Sequence, residues 1–186
     1  KRTLVFECLR QLGSLPAVSL QAVAGGTSPL AFEKGVNDLN KMYPGRNYQL
    51  PRMVLVQQDE CDPMVTAWEQ ATAECFPHGW EQQYEAKKNV HTRIGILSAA
   101  NPGNYPLVAP LVCRSRGTFL RVAEAELPSY AKMMLKKQGV TLGAASLVCY
   151  AGFFHALQEG VIHDGDRVLL NIGESSQRSE WPSIEK

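Results

Sequence analysis

No uninterrupted apolar run in this 186-residue sequence approaches the length of a membrane span, so no membrane partner is expected. There is no stripe of one charge either. The 19 Lys and Arg and 18 Asp and Glu are interleaved and leave a net charge of +1, which gives no electrostatic footprint for a nucleic acid. The five cysteines (Cys8, Cys61, Cys75, Cys113, Cys149) and the four histidines lack metal-ligand spacing, so no metal is expected and the thiols read as buried and free in a reducing cytoplasm. Internal repeats and low-complexity segments are absent. The first ten residues carry Glu7 and Arg10 inside their apolar pattern and have no small-residue cleavage site, so they do not read as a signal peptide. They also lack an initiator Met, from which the chain is expected not to begin where translation began.

What is present suits a folded α/β unit. Hydrophobic residues make up 45% of the chain and charged residues 20%, enough for a real core under a soluble surface. Residues 1–186 read as one α/β domain or a piece of a larger one. Helical stripes lie at 3–12, from Leu30 to about Tyr43, from Asp62 through Ala71, from Glu124 to Lys137 and, almost wholly apolar, from Ala144 to Leu157. Between them stand short apolar strands at 17–23, 52–57, 118–122 and 167–171. This alternation predicts a mainly parallel sheet flanked by helices. Residues 76–88 read as a polar surface excursion. Residues 94–110, rich in small residues, Asn and Pro, read as a loop lying against something.

The most informative stretch runs from Ala17 to Gly35. An apolar strand ends in Gly25, Gly26, Thr27 and Ser28, and a helical pattern begins at once. Such a corner points bare amides at one spot, and the helix N-terminus adds partial positive charge, so an anion such as a phosphate ester is its natural guest. The same pattern also serves an ordinary strand–turn–helix with an N-cap. A second strand end carries Gly173 followed by Ser175 and Ser176, and a third carries Gln57, Gln58 and Asp59. In parallel sheets ligands bind outside the carboxyl ends of the strands, where these groups meet.

The order of the pieces resembles the C-terminal half of the fold-type II pyridoxal-phosphate enzymes, in the group of threonine synthase and cysteate synthase. Four blocks carry the likeness: residues 4–35 with the glycine corner; 50–57 leading into 61–68; 93–102; and 143–152 continuing through 159–170. The second block leans towards cysteate synthase. The resemblance implies the cofactor part of a tryptophan-synthase-β-like fold, with pyridoxal 5'-phosphate as cofactor. Gly25, Gly26, Thr27 and Ser28 would then hold the phosphate, and Asn171 or Ser175 would meet the ring nitrogen. Gln57, Ser98 and Asn101 would face the substrate. The implied chemistry is β- or γ-replacement or elimination on a phosphorylated amino acid. O-phosphoserine with sulfite would be the pair for a cysteate synthase, O-phosphohomoserine with water for a threonine synthase.

The departures are equally specific. The family bonds its cofactor covalently through a lysine in the N-terminal half, and Lys34, Lys41, Lys87 and Lys132 read instead as solvated surface groups. The chain is therefore expected to be one half of the catalytic unit, completed by a missing N-terminal half or a partner chain in a homodimer or heteromer, and no catalytic residue is assigned within it. Ile172 stands where the family places Ser or Thr, and no acidic residue stands near Leu142. These favour one alternative, a non-catalytic subunit of a split enzyme; an unrelated phosphate- or nucleotide-binding α/β domain stays open as another. His155, inside an apolar helix, reads as a packing residue and not a base.

Overall fold

A computed structural model describes residues 1–173. Among these, β1 (Val18–Ala22), β2 (Arg52–Gln58), β3 (Thr118–Val122) and β4 (Val168–Leu170) form one sheet in the order β3-β2-β1-β4. Every pairing is parallel. Helices α1 (Thr3–Leu12), α2 (Thr27–Met42), α3 (Pro63–Ala73), α4 (Tyr105–Arg114), α5 (Leu127–Gln138) and α6 (Ala144–Gln158) surround it.

Side chains alternate across a strand, so each strand feeds two cores. Leu20, Val54, Val56, Leu120 and Val122 face α5 and α6, packing with Leu127, Leu147, Val148 and Ala151. Met53, Leu55 and Phe119 face the other way, onto Phe32, Val36, Met64, Tyr105 and Val108 of α2, α3 and α4. Burial on both faces is why Met53–Val56 of β2 reads as a continuous apolar run. The helix α6 lies tight against β2: a Cβ built on Gly152 would come within 2.5 Å of a Val56 methyl.

The expected parallel α/β architecture is therefore present, and three local expectations are corrected. Residues 105–110, expected within a loop, belong to α4. Pro106 stands in its first turn, where no donor is required, and α4 tolerates the missing N–H of Pro110. The stretch 76–88 is not merely a polar excursion, because Phe76 and Trp80 pack edge-on against Trp68, and Tyr84 packs at a tilt against Tyr105. Cys8, Cys61 and Cys149 are buried as expected, but Cys75 and Cys113 are exposed. Gly13 and Gly139 end α1 and α5 with φ of 70° and 65°, and Gly26, at φ 77°, precedes α2 at the carboxyl end of β1.

The strand order fixes where a ligand belongs. From β1 the chain steps outward to β2 and β3, then returns to place β4 on the opposite side of β1. The two crossovers diverge between β1 and β4, opening a crevice at their carboxyl ends.

Candidate functional site

That crevice holds a cavity of about 290 Å³, lined by Gln21, Ala22, Ala24, Gly25, Gly26, Thr27 and Ser28 from the β1–α2 corner. Asn171 and Gly173 close it from the end of β4, Ala145 and Ser146 from the first turn of α6, and Ile96 and Leu97 from the segment before α4. Its size is at the lower end for small-molecule sites. The N-termini of two helices, 16 and 15 residues long, thus converge on one space, and both favour negative charge there.

The corner itself is bare. Gly26 adopts φ +77 as the residue before α2, and no side chain caps that helix. Among the described residues, no protein acceptor takes the amides of Gly25, Gly26, Thr27 or Ser28. A Cβ at Gly25 would meet nothing within 4 Å, whereas one at Gly26 would stand 2.6 Å from Val108 Cγ2. Gly25 is open towards the cavity, and Gly26 is pressed from behind. From behind, too, Asn104 Nδ2 donates to the Gly25 carbonyl at 2.6 Å.

Lys1 also lines the cavity, donating from Nζ to Thr27 Oγ1 at 2.8 Å. Because that oxygen accepts from an ammonium, the hydroxyl proton of Thr27 is left for an outside acceptor. Across the cavity Asn171 Nδ2 donates to Gln21 Oε1 at 3.2 Å, and the Asn171 amide to Leu20 O at 3.0 Å. Gln21 is buried.

The wall formed by Ile96 and Leu97 is held by a polar chain. Glu124, just past β3, accepts from Thr92 Oγ1 at 2.6 Å and Arg93 N at 3.0 Å. Its own amide donates to Asp59 Oδ1 at 2.8 Å. Lys87 N donates to Ala100 O at 2.9 Å, closing the base of the loop, while Lys87 Nζ donates to the Asp59 carbonyl. Nζ also pairs with Asp62 at 2.6 Å, and Asp62 takes a second cation, Arg121, at 2.5 Å. Burial would raise the Asp62 carboxyl, but the hydrogen bonds and charges of Lys87 and Arg121 outweigh it and hold the group below its usual value. Lys87 is therefore a structural ion pair, not the solvated group expected of it; Lys34, Lys41 and Lys132 are exposed as expected.

The cavity brings together Gly25, Gly26, Thr27, Ser28 and Asn171. Three other candidates stand apart from it. Gln57 is buried, and its Oε1 accepts from Met64 N at 2.9 Å and Val65 N at 3.1 Å, capping α3 rather than facing a substrate. Gln58 does the same for the turn Asp59–Cys61. Ser98 is exposed and spends its hydroxyl on Gly95 O at 2.6 Å. Asn101 is exposed outside the cavity, and its neighbours Ile96 and Leu97 line it instead. Ser175 lies outside the described residues.

Gln21, Lys1, Asn104 and the α6 N-terminus went unnoticed in the sequence. Gln21 alone carried a signal, as the one long polar side chain inside an apolar strand. His155, half-buried on α6, pairs with Glu126 at 3.0 Å. Cys149 Sγ lies 3.5 Å from Leu20 O, and burial pushes its thiol up to about 12, which makes it a poor nucleophile. Among the described residues no cluster of His, Cys, Asp and Glu could hold a metal, and no helix is long and apolar enough to cross a membrane.

A family model described as pyridoxal-phosphate dependent enzyme matches residues 1–173. A cysteate synthase of Methanospirillum hungatei is 27% identical over 179 residues, covering 94% of this chain and 42% of its own length. A threonine synthase of Methanocaldococcus jannaschii is 25% identical over 170 residues, covering 91% and 39% respectively. The chain thus spans about two fifths of the length of these relatives. Among solved structures, the processed form of threonine deaminase isoform 2 from Solanum lycopersicum superposes with a TM-score of 0.64 at 16% identity, over 94% of this chain and 44% of that one. That likeness shows the fold.

Proposed function

The chain belongs to the pyridoxal-phosphate dependent enzymes, and we propose that its 186 residues supply the phosphate cradle and one ring-side wall of an enzyme acting on a phosphorylated amino acid. The reaction would be a β- or γ-replacement or an elimination, of the kind implied by relatives named cysteate synthase and threonine synthase.

One observation carries the reading: four bare amides, at Gly25, Gly26, Thr27 and Ser28, stand at the N-terminus of α2 beside an open glycine in the crevice between β1 and β4. An ester dianion fits this cradle by charge and by donor count. The amides and the Thr27 hydroxyl would hold the phosphate, with Lys1 adding positive charge nearby. Asn171, whose Nδ2 is engaged by Gln21, would present Oδ1 to the ring nitrogen. Ile96 and Leu97 would shield the ring from water, and Glu124 fixes the segment that carries them. Bound pyridoxal phosphate supplies an electron sink for charge developing at the substrate α-carbon. The lysine that bonds the cofactor would come from a segment outside residues 1–186 or from a partner chain. Ile96, which lines the cavity and is 66% exposed, is apolar surface suited to that contact.

A second reading, a subunit that keeps the fold without the cofactor, is favoured by Ile172, which puts an apolar side chain beside Asn171 at the end of β4. Mixing the chain with the lysine-bearing part and pyridoxal phosphate separates the two. A visible absorption band with phosphate release from O-phosphoserine or O-phosphohomoserine is expected for the enzyme. A folded mixture with no such band supports the subunit and contradicts the enzyme.

A further inference from the structure

The peptide bond between Gly25 and Gly26 joins two residues without Cβ, so nothing in its own chemistry fixes which way it faces. In this fold α4 fixes it. Asn104, the residue preceding α4, donates from Nδ2 to the Gly25 carbonyl at 2.6 Å. Val108, four residues on, occupies the space against Gly26, where a Cβ would approach its Cγ2 to 2.6 Å. No cis peptide is present among the described residues. In a trans peptide the C=O and the following N–H point in opposite directions. Asn104 lies outside the cavity lining while Gly25 and Gly26 lie within it. A Gly25 carbonyl turned back to Asn104 therefore directs the Gly26 N–H forward, into the cavity.

We propose that Asn104 is a positioning residue for the phosphate cradle, locking the Gly25–Gly26 peptide so that the Gly26 amide faces the anion. The proposal rests on the phosphate-cradle reading of the same cavity. Without the lock the peptide can turn over, placing a carbonyl dipole where the dianion sits. The effect is confined to the phosphate end, and the ring wall at Ile96, Leu97 and Asn171 is untouched.

The test compares pyridoxal phosphate with pyridoxal, which lacks the anion, in binding titrations of the full chain. Asn104→Ala and the near-isosteric Asn104→Asp are each expected to bind pyridoxal phosphate about ten- to a hundredfold more weakly, the size of one lost charge-assisted hydrogen bond. Pyridoxal binding is expected to stay within about twofold. Weakening of both ligands alike, or of neither, overturns the proposal. The wild-type chain gives an independent reading by amide NMR: on addition of pyridoxal phosphate the Gly26 resonance moves together with those of Thr27 and Ser28. Movement of Thr27 and Ser28 without Gly26 overturns the lock and leaves the cradle standing. Movement of none of the three contradicts the cradle itself, and the lock falls with it.

Discussion

Asn171 at the end of β4 donates its Nδ2 to Oε1 of Gln21 at the end of β1, 3.2 Å away, across the line where the sheet reverses its order. The pair ties the ends of β1 and β4 together at the cavity and engages the amide nitrogen of Asn171, not its Oδ1. Replacing Asn171 by Leu keeps the volume and removes both the tie and Oδ1. Affinity for pyridoxal phosphate is expected to fall about five- to tenfold, one neutral hydrogen bond, with the melting temperature shifted by only a few degrees. Fluorescence titration and a thermal melt check the two halves of that statement.

The two glycines of the corner should separate stability from binding. At Gly26 a methyl group meets Val108 at 2.6 Å and the backbone sits at φ +77, so Gly26→Ala is expected to cost about 1–3 kcal/mol of unfolding free energy. At Gly25 nothing lies within 4 Å, so Gly25→Ala should leave stability within about 0.5 kcal/mol and still weaken pyridoxal phosphate by intruding on its phosphate. Chemical denaturation beside a binding titration of both variants measures the contrast.

Asp62 makes stability depend on pH in a defined sense. Its folded-state carboxyl lies below the ordinary value of 3.8 because Lys87 and Arg121 more than offset its burial. A depressed carboxyl contributes stability that is fully present above its unfolded value and is lost as pH falls through the folded one. Asp62→Asn should therefore destabilise the chain at neutral pH, by about 1–2 kcal/mol because roughly a third of each cation's side chain remains in water. The difference from wild type should shrink as the solution is acidified below the ordinary carboxylate range. Urea titrations at several pH values show whether it does.

The thiols offer a check on the burial of the core. Cys75 and Cys113 are exposed, whereas Cys8, Cys61 and Cys149 are buried and burial raises each of their thiols. In the native protein Cys75 and Cys113 should react promptly with a colorimetric disulfide reagent. The other three should react only on unfolding.

Part of this was legible in the sequence because a strand buried on both faces writes a continuous apolar run, and 52–57 is of that kind. The bare strand–turn–helix corner was legible because Gly25, Gly26, Thr27 and Ser28 are contiguous in one local pattern. Pro106 and Pro110 hid α4, since the first-turn position of one and the tolerated interior position of the other look the same as a loop in one dimension. Gln57 misled because a polar residue at a strand end can face solvent, ligand or the next helix, and here it caps α3. Lys1 and Asn104 reach the corner from 26 and 79 residues away, and no short-range spacing could announce them.

The proposed role of the bare amides before and within the first turn of α2 is to hold the ester phosphate of an aromatic aldehyde cofactor. A crystal structure of the protein with pyridoxal phosphate bound tests it most directly. The account predicts phosphate oxygens within hydrogen-bond reach of the amides of Gly25 to Ser28, with the ring lying between Leu97 and Asn171. A phosphate seated elsewhere, for instance in the cleft beside Gln82 and Lys88, with the glycine corner left to water, would contradict it.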